Sequence, residues 1–416
     1  MPRRASAFQR FLAPRLREAL RDTPAVLIHG PRQSGKSTLA RTVGEPLGYR
    51  YFTFDNDDLT AAARGDPAGF VASLPPKTIL DELQRVPELF TALKAAIDAR
   101  RRPGRFILTG SANVLLVPHL SDSLAGRLAI LRLHPLAQGE IENARPRVLD
   151  AIFAGKIPTR IVERLGNDLA VRVAAGGYPA ALARRTPARR SAWYRDYVET
   201  QIQRDVRDLS RIHSFDALPR LLSVVAANTA SLLNIAELAA PFELTRQTIH
   251  EYVTLLERVF LIDRLPPWHS NRTSRAVKRP KLHLGDTGVA CALLGLDAKT
   301  LNLDRSSLGP LLETFVVQEL RRQASWRPVP IDFSHYRDRD GYEVDVVLES
   351  AAGVAGVEVK AAASVTENDL RGLKKLRDAA GRRFRCGIVL YDGTAVIQLD
   401  ERLSAVPLRV ALAATT

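Results

Sequence analysis

Gly30-Pro31-Arg32-Gln33-Ser34-Gly35-Lys36-Ser37, entered from the apolar run Ala25-Val26-Leu27-Ile28-His29, decides the fold of the first part of this 416-residue chain. A strand, a glycine-rich turn and the start of a helix, in that order, make a phosphate cradle. Glycine lets successive backbone N–H groups curl toward one point, and the helix beyond presents the positive end of its dipole there. The spacing predicts an ATP-binding loop made of Gly30, Pro31, Arg32, Gln33, Ser34, Gly35, Lys36, Ser37 and Thr38. In it Lys36 reaches the β and γ phosphates, and the Ser37 hydroxyl is a ligand for Mg²⁺.

Working outward, three more short apolar runs read as strands: Tyr51-Phe52-Thr53-Phe54, Thr78-Ile79-Leu80 and Phe106-Ile107-Leu108-Thr109. Strands of this kind alternating with helical stretches predict a parallel sheet covered on both faces. The second of these runs closes on Asp81-Glu82 and the third on Gly110-Ser111. A carboxylate at a strand tip suits the magnesium shell (Asp81), its neighbour suits a base that polarises the attacking water (Glu82), and Ser111 is placed to sense the γ-phosphate. Arg127, after Leu124-Ala125-Gly126, is a candidate for stabilising charge on the transferring phosphoryl group, in cis or from a neighbouring subunit of a homo-oligomer.

Together these strings, with His134-Pro135-Leu136, Glu140 and Gly176-Gly177-Tyr178-Pro179, resemble the prokaryotic AAA-type ATPases that carry a C-terminal DUF4143 domain. The resemblance covers nearly the whole chain. It implies an ATP-hydrolysing core with a C-terminal part of restriction-endonuclease-like fold.

Changes of periodicity divide the chain into an ATPase core with an N-terminal helix (1–150), a helical lid (151–215), a winged-helix-like segment (216–282) and a mixed α/β domain (283–416). The expected class is α/β multidomain. In the third segment, Ile235-Ala236-Glu237-Leu238-Ala239 reads as a short helix, and Thr245 caps a second whose exposed start carries Arg246, Gln247 and His250. Two short helices with a tight turn are helix-turn-helix grammar. Beyond a strand over 261–265, Arg272, Arg275, Lys278, Arg279 and Lys281 follow with no acid among them, a composition suited to DNA phosphate contacts. Trp193, Tyr194 and Tyr197 fall at helical spacing and read as core.

In the last segment, Glu313 lies near the start of a helix read as amphipathic, and two alternating runs, Glu343–Leu348 and Gly356–Lys360, read as a hairpin. Residues two apart share a face, so Glu358 and Lys360 point the same way, with Asp345 opposite. This arrangement resembles the core of the PD-(D/E)XK nucleases, with Val344 where the family pattern has proline. The resemblance implies that Asp345 and Glu358 bind Mg²⁺, that Lys360 orients or helps deprotonate the attacking water, and that Glu313 completes the metal shell. The alternative is that Lys360 merely pairs with Glu358 or Asp345.

A net charge of +15 and a pI of about 10.2 favour polyanionic partners. Two separated cysteines exclude a disulfide framework, and the eight histidines have no zinc-ligand spacing. No apolar run reaches the roughly 18–20 residues a membrane span needs, and the N-terminus has no signal-peptide pattern, so a cytoplasmic protein is expected. The functional expectation is a Mg-dependent ATPase whose nucleotide state controls a DNA-binding and, in its fuller form, DNA-cleaving C-terminal half. The alternative is an ATP-gated regulatory switch that binds DNA or a partner protein without cleaving.

Overall fold

The computed structural model describes residues 8–111, 126–206, 216–270 and 279–412. They form two compact units, one of Arg10–Pro135 with Arg258–Phe260, the other of Phe8 and Gln9 with the described residues of Leu136–Glu257 and from Leu261 onward. The expected boundary at 150 therefore falls inside the second unit. The helix Val148–Ala154 buries Val148, Leu149 and Ile152, and it packs on the C-terminal sheet.

In the first unit five strands, β1 (Ala25–His29), β2 (Arg50–Thr53), β3 (Thr78–Asp81), β4 (Phe106–Gly110) and β5 (Leu128–Arg132), form a parallel sheet in the order β2-β3-β4-β1-β5. β1, β3 and β4 are buried along their whole length, as uninterrupted apolar runs in a parallel sheet must be. The helix Leu89–Ala99 lays Leu89, Phe90, Leu93 and Ile97, at helical spacing, over the core built on Leu27, Leu80 and Leu108. Because the strands are parallel, β1, β3 and β4 end along one edge. That edge carries the glycine loop, Asp81-Glu82 and Ser111.

The second unit contains two sheets. The helix Ala217–Ala227 precedes β6 (Ser231–Leu232), helices Ile235–Ala239 and Arg246–Arg258 follow it, and β7 (Ile262–Leu265) and β8 (Lys281–Leu284) come next; the three strands pair antiparallel in the order β6-β8-β7. The larger sheet orders β9 (Asp332–Arg337), β10 (Glu343–Ser350), β11 (Gly353–Lys360), β12 (Phe384–Tyr391), β13 (Ile397–Asp400) and β14 (Leu403–Pro407) as β13-β14-β12-β11-β10-β9. β9, β10 and β11 are antiparallel, and β11, β12 and β14 are parallel. The helix Arg371–Ala380 fills one face with Leu373 and Leu376 against Val344, Val347 and Phe384.

The expected lid does not stand alone. Helices Asn167–Ala175 and Pro187–Gln201 pack against Thr287–Leu294. Tyr178, Trp193, Tyr194 and Tyr197 interlock in one aromatic cluster, as their spacing predicts. The motif Gly176-Gly177-Tyr178-Pro179 owes its glycines to this packing. A Cβ on Gly176, at φ +65, would lie 2.1 Å from Asp286 Oδ1. Gly177 N–H donates to Asp286 Oδ2 at 2.8 Å, and the same carboxylate receives the buried Arg322 guanidinium at 2.8 Å. Both cysteines are buried and free. Among the described residues no helix is long and apolar enough to cross a membrane.

Candidate functional site

At the carboxyl edge of the first unit the chain leaves β1 through Gly30, whose φ of +150 and close approach exclude any side chain. A Cβ there would meet Leu133 O at 2.1 Å. Gln33 (φ 62) and Gly35 (φ 96) also turn left-handed, which curls the loop before the helix Lys36–Gly44 begins. Arg32 and Gln33 stay at the rim, Pro31 and Ser34 are buried, and Thr38 is exposed on the first helical turn. Lys36 is 4% exposed and donates to Gly30 O (3.0 Å) and Pro31 O (2.9 Å). The Ser34 hydroxyl is buried with no hydrogen-bond partner, a donor the loop holds unspent. Sequence reasoning missed Arg10, whose guanidinium donates to Ser34 O and His134 O, each at 2.6 Å, and so braces the loop. Below the loop, burial and then the nearby Arg132 and Lys36 charges push His29 down to about 3, so it stays neutral.

The residues beside the loop converge as expected. Ser37 Oγ donates to Asp81 at 2.8 Å (Oδ1) and 3.0 Å (Oδ2). Tyr51 donates its hydroxyl to Asp81 Oδ2 at 2.6 Å, and Thr109 donates to Oδ1. Burial, then the Asp81 carboxylate, pushes the Tyr51 phenol up to about 12. Glu82 occupies a left-handed turn (φ 59) that sends the chain back on itself. Gln84 consequently reaches both Glu82 Oε2 (2.5 Å) and Ser111 Oγ (2.8 Å), while Ser111 Oγ donates to Glu82 at 3.2 Å and Arg32 lies 3.8 Å from the same carboxylate. A hydroxyl and a carboxylate, both hard oxygen donors, meet at the helix start, and an unpartnered buried hydroxyl lines the loop. These residues fit a magnesium-bound triphosphate. Tyr51, Thr109 and Gln84 were not legible in the sequence: the first two reach Asp81 from the strands β2 and β4 that flank β3, an order no spacing announces, and Gln84 depends on the turn at Glu82.

Arg127 requires a correction. β5 runs parallel to β1 with Leu128 beside Ala25, so Arg127 stands at the amino edge of the sheet. The loop lies at the other end of β1, about 16 Å away at roughly 3.3 Å per strand residue. Its guanidinium grips Asp98 through Nε (2.5 Å) and Nη2 (3.0 Å). That bond raises the arginine above its ordinary value and holds the Asp98 carboxyl below its own. A role in cis does not fit this geometry, whereas action on a neighbouring subunit is a separate matter.

In the second unit the expected quartet comes together: Glu313 from the helix Arg305–Ser325, Asp345 from β10, and Glu358 and Lys360 from β11. Asp345 Oδ2 accepts from Val359 N–H at 2.9 Å. Lys360 Nζ donates to Glu358 Oε1 at 2.9 Å and lies 3.6 Å from Asp369. A fifth member overturns an expectation. Lys281, read as an exposed phosphate contact, is 3% exposed, and its ammonium lies 2.8 Å from Glu313, 2.5 Å from Glu343 and 3.5 Å from Asp345. The reason is register. Lys281 opens β8 opposite Leu265 and Leu232, and this pairing aims its side chain into the acids rather than at solvent. Burial pulls the Lys281 ammonium down, but Asp345, Glu313 and Glu343 together more than reverse that and raise it above its ordinary value. Burial and the Asp345 charge raise Glu313 well above the carboxylate range and push Glu358 up to about 8. Among the described residues no three acids, histidines or cysteines are disposed to hold a metal ion. The acids do not fit Mg²⁺ as they stand, because an ammonium already occupies their middle.

Of the expected nucleic-acid contacts, Arg246, Gln247 and His250 are exposed on the helix Arg246–Arg258, whose start is capped by Thr245 accepting from Thr248 N–H at 3.1 Å. Arg279 is exposed two residues before β8. Arg272, Arg275 and Lys278 lie outside the described residues.

Three family profiles match this chain: an AAA domain over residues 22–142, a domain of unknown function (DUF8612) over 166–300 and a second (DUF4143) over 308–411. An uncharacterized protein of Mycobacterium tuberculosis is 31% identical over 404 residues, 96% of this chain and 83% of the relative. Among solved structures, a Walker-type ATPase of Pyrococcus abyssi is similar at 17% identity and a TM-score of 0.46, over 70% of this chain and 97% of that one. The RuvB Holliday junction branch migration motor of Thermotoga maritima is similar at 18% identity and a TM-score of 0.28, over 61% of this chain and 89% of its own.

Proposed function

Since the chain belongs to the AAA-type P-loop ATPases with a C-terminal DUF4143 domain, we propose that it is a Mg²⁺-dependent ATP hydrolase whose nucleotide state controls a DNA-binding second unit. The observation that carries this reading is the convergence of Ser37, Asp81, Glu82 and Ser111 beside a loop that holds an unpartnered buried hydroxyl. The loop N–H groups and Lys36 would hold the phosphates, and Ser37 with Asp81 would hold the magnesium shell. When bound, the metal would neutralise phosphate charge. Glu82 would orient a water and take its proton at the carboxylate, and Ser111 and Gln84 would hold that carboxylate in place. Arg127 would contribute only from a neighbouring subunit.

DNA binding is assigned to the exposed start of the helix Arg246–Arg258 and to Arg279, supported by the surplus of positive charge. Cleavage by Asp345, Glu358 and Lys360 is the part that the geometry favours least, so the non-cleaving switch becomes the preferred form of this reading.

The test is ATP turnover by the parent and Lys36→Ala, in Mg²⁺ and in EDTA, with and without duplex DNA. Turnover that disappears in EDTA and in Lys36→Ala and rises with DNA is the expected result. A parent that binds no ATP sinks the reading. Turnover indifferent to DNA would transfer control to a protein partner.

A further inference from the structure

We propose that Lys281 is the resident cation of the C-terminal carboxylate cluster, standing where a divalent metal would otherwise sit. The cluster is then a charge-balanced joint between the β6-β8-β7 sheet and the larger sheet, not a cleavage centre, and removal of the ammonium opens a divalent-cation site. The proposal does not depend on the ATPase reading.

Three observations carry it. The first is position. The Lys281 ammonium touches three acids from two elements, Glu313 on the helix Arg305–Ser325 and both Glu343 and Asp345 on β10. A divalent ion bound by those oxygens would have to share their centre with a positive charge at bonding distance, and Coulomb repulsion between the two excludes it. The second is confinement. Lys281 is 3% exposed, and its strand is paired on both sides, by β6 and by β7, so the ammonium is held inside the protein rather than at a solvated rim.

The third is the accounting of charge and hydrogen bonds. Lys281 answers Glu313, Glu343 and Asp345, while Lys360 answers Glu358 and Asp369. Each buried acid thus has a cation or a backbone donor without any metal. Two buried polar atoms beside the cluster, Glu358 Oε2 and His283 Nε2, still make no hydrogen bond. They are donor atoms that a cation larger in charge could recruit once Lys281 no longer fills the centre.

The metal itself is the probe. Mn²⁺ binding is followed by electron paramagnetic resonance on the full chain without nucleotide, so that the P-loop does not contribute. The parent is expected to bind no Mn²⁺ at about millimolar concentration, a range where modest oxygen sites fill. Lys281→Met, which keeps the stem and removes the charge, is expected to bind one equivalent, roughly a hundredfold or more tighter than the parent. Adding Asp345→Asn to that variant should abolish the new site. In thermal melts Mn²⁺ should raise the Tm of Lys281→Met and leave that of the parent unchanged.

Two results overturn the proposal. One is Mn²⁺ bound by the parent and lost in Asp345→Asn, or Mn²⁺-dependent nicking of supercoiled plasmid by the parent that Asp345→Ala removes. The other is a folded Lys281→Met that binds no Mn²⁺. Should Lys281→Met fail to fold, the parent decides alone, since it needs no substitution to show whether the acids take a metal.

Discussion

Lys36 spends its ammonium on the carbonyls of Gly30 and Pro31, and Ser37 spends its hydroxyl on Asp81, so both groups that would meet a triphosphate are held by neighbours they can exchange for it. Glu82 is held differently, by Gln84 and Ser111 at the far side of a left-handed turn. Glu82→Gln keeps the shape and the burial and removes only the proton acceptor. ATP affinity should be unchanged within about twofold while the single-turnover rate falls about 10²- to 10⁴-fold, the usual worth of a general base. Equal losses in both would make Glu82 a binding residue instead. Residues that close an apolar strand, such as Asp81, Glu82 and Ser111, were legible because a parallel sheet brings all its carboxyl ends to one edge. Gln84 was not, since its place depends on the φ of the residue two before it. Lys281 was misread for a related reason. A run of basic residues suggests a solvated face, and only the pairing of β8 with Leu265 shows that one of them turns inward.

The helix Arg305–Ser325 makes the same point at the level of an element. Its pattern suggested an amphipathic helix, yet Thr314, Gln318, Glu319, Arg322 and Gln323 are buried along with its apolar residues. Each finds a partner: Gln318 Nε2 donates to Leu284 O at 2.8 Å, Arg322 Nη1 to Leu136 O at 2.9 Å and Gln323 Nε2 to Ala411 O at 2.7 Å. A helix surrounded by protein reads as polar on one side because long-range hydrogen bonds, invisible in the sequence, take the place of water. Glu319 accepts from Gln138 N–H at 3.0 Å and Gln323 Nε2 at 3.0 Å, but burial still pushes its carboxyl up from 4.5 to about 7. On raising pH the unfolded chain releases this proton first, so between 4.5 and 7 the folded state binds more protons than the unfolded one. The contribution to stability is therefore full below pH 4.5, declines through that window by about 3 kcal/mol, and is flat above it. Glu319→Gln, with no proton to lose, should remove that decline. Denaturant titrations at several pH values between 4 and 8 would measure it, and an unchanged slope in the variant would assign the pH dependence to other groups.

For the whole molecule the determining quantity is the surplus of 60 basic over 45 acidic side chains. Composition alone cannot separate a surface that binds polyanions from one that is merely rich in solvated arginine, and the two make different predictions. Counterion release gives a binding constant that falls linearly in log salt, with a slope of about 0.9 per phosphate neutralised on duplex DNA. A diffuse positive surface gives that slope with no residue in particular responsible for it. If the start of the helix Arg246–Arg258 is the docking element, Arg246→Ala should lower affinity equally for unrelated sequences and reduce the slope by about 1, because one phosphate contact has gone. Gln247→Ala, which removes a neutral side chain from the same helix start, should leave the slope intact and change affinity only where a base edge is read. Fluorescence anisotropy with a labelled duplex between about 50 and 200 mM salt covers the range in which such slopes are resolved. An Arg246→Ala slope equal to that of the parent would place the contacts elsewhere on the surface. A parent with no salt-dependent affinity at all would leave the charge as solvated arginine and make a protein the partner that ATP controls.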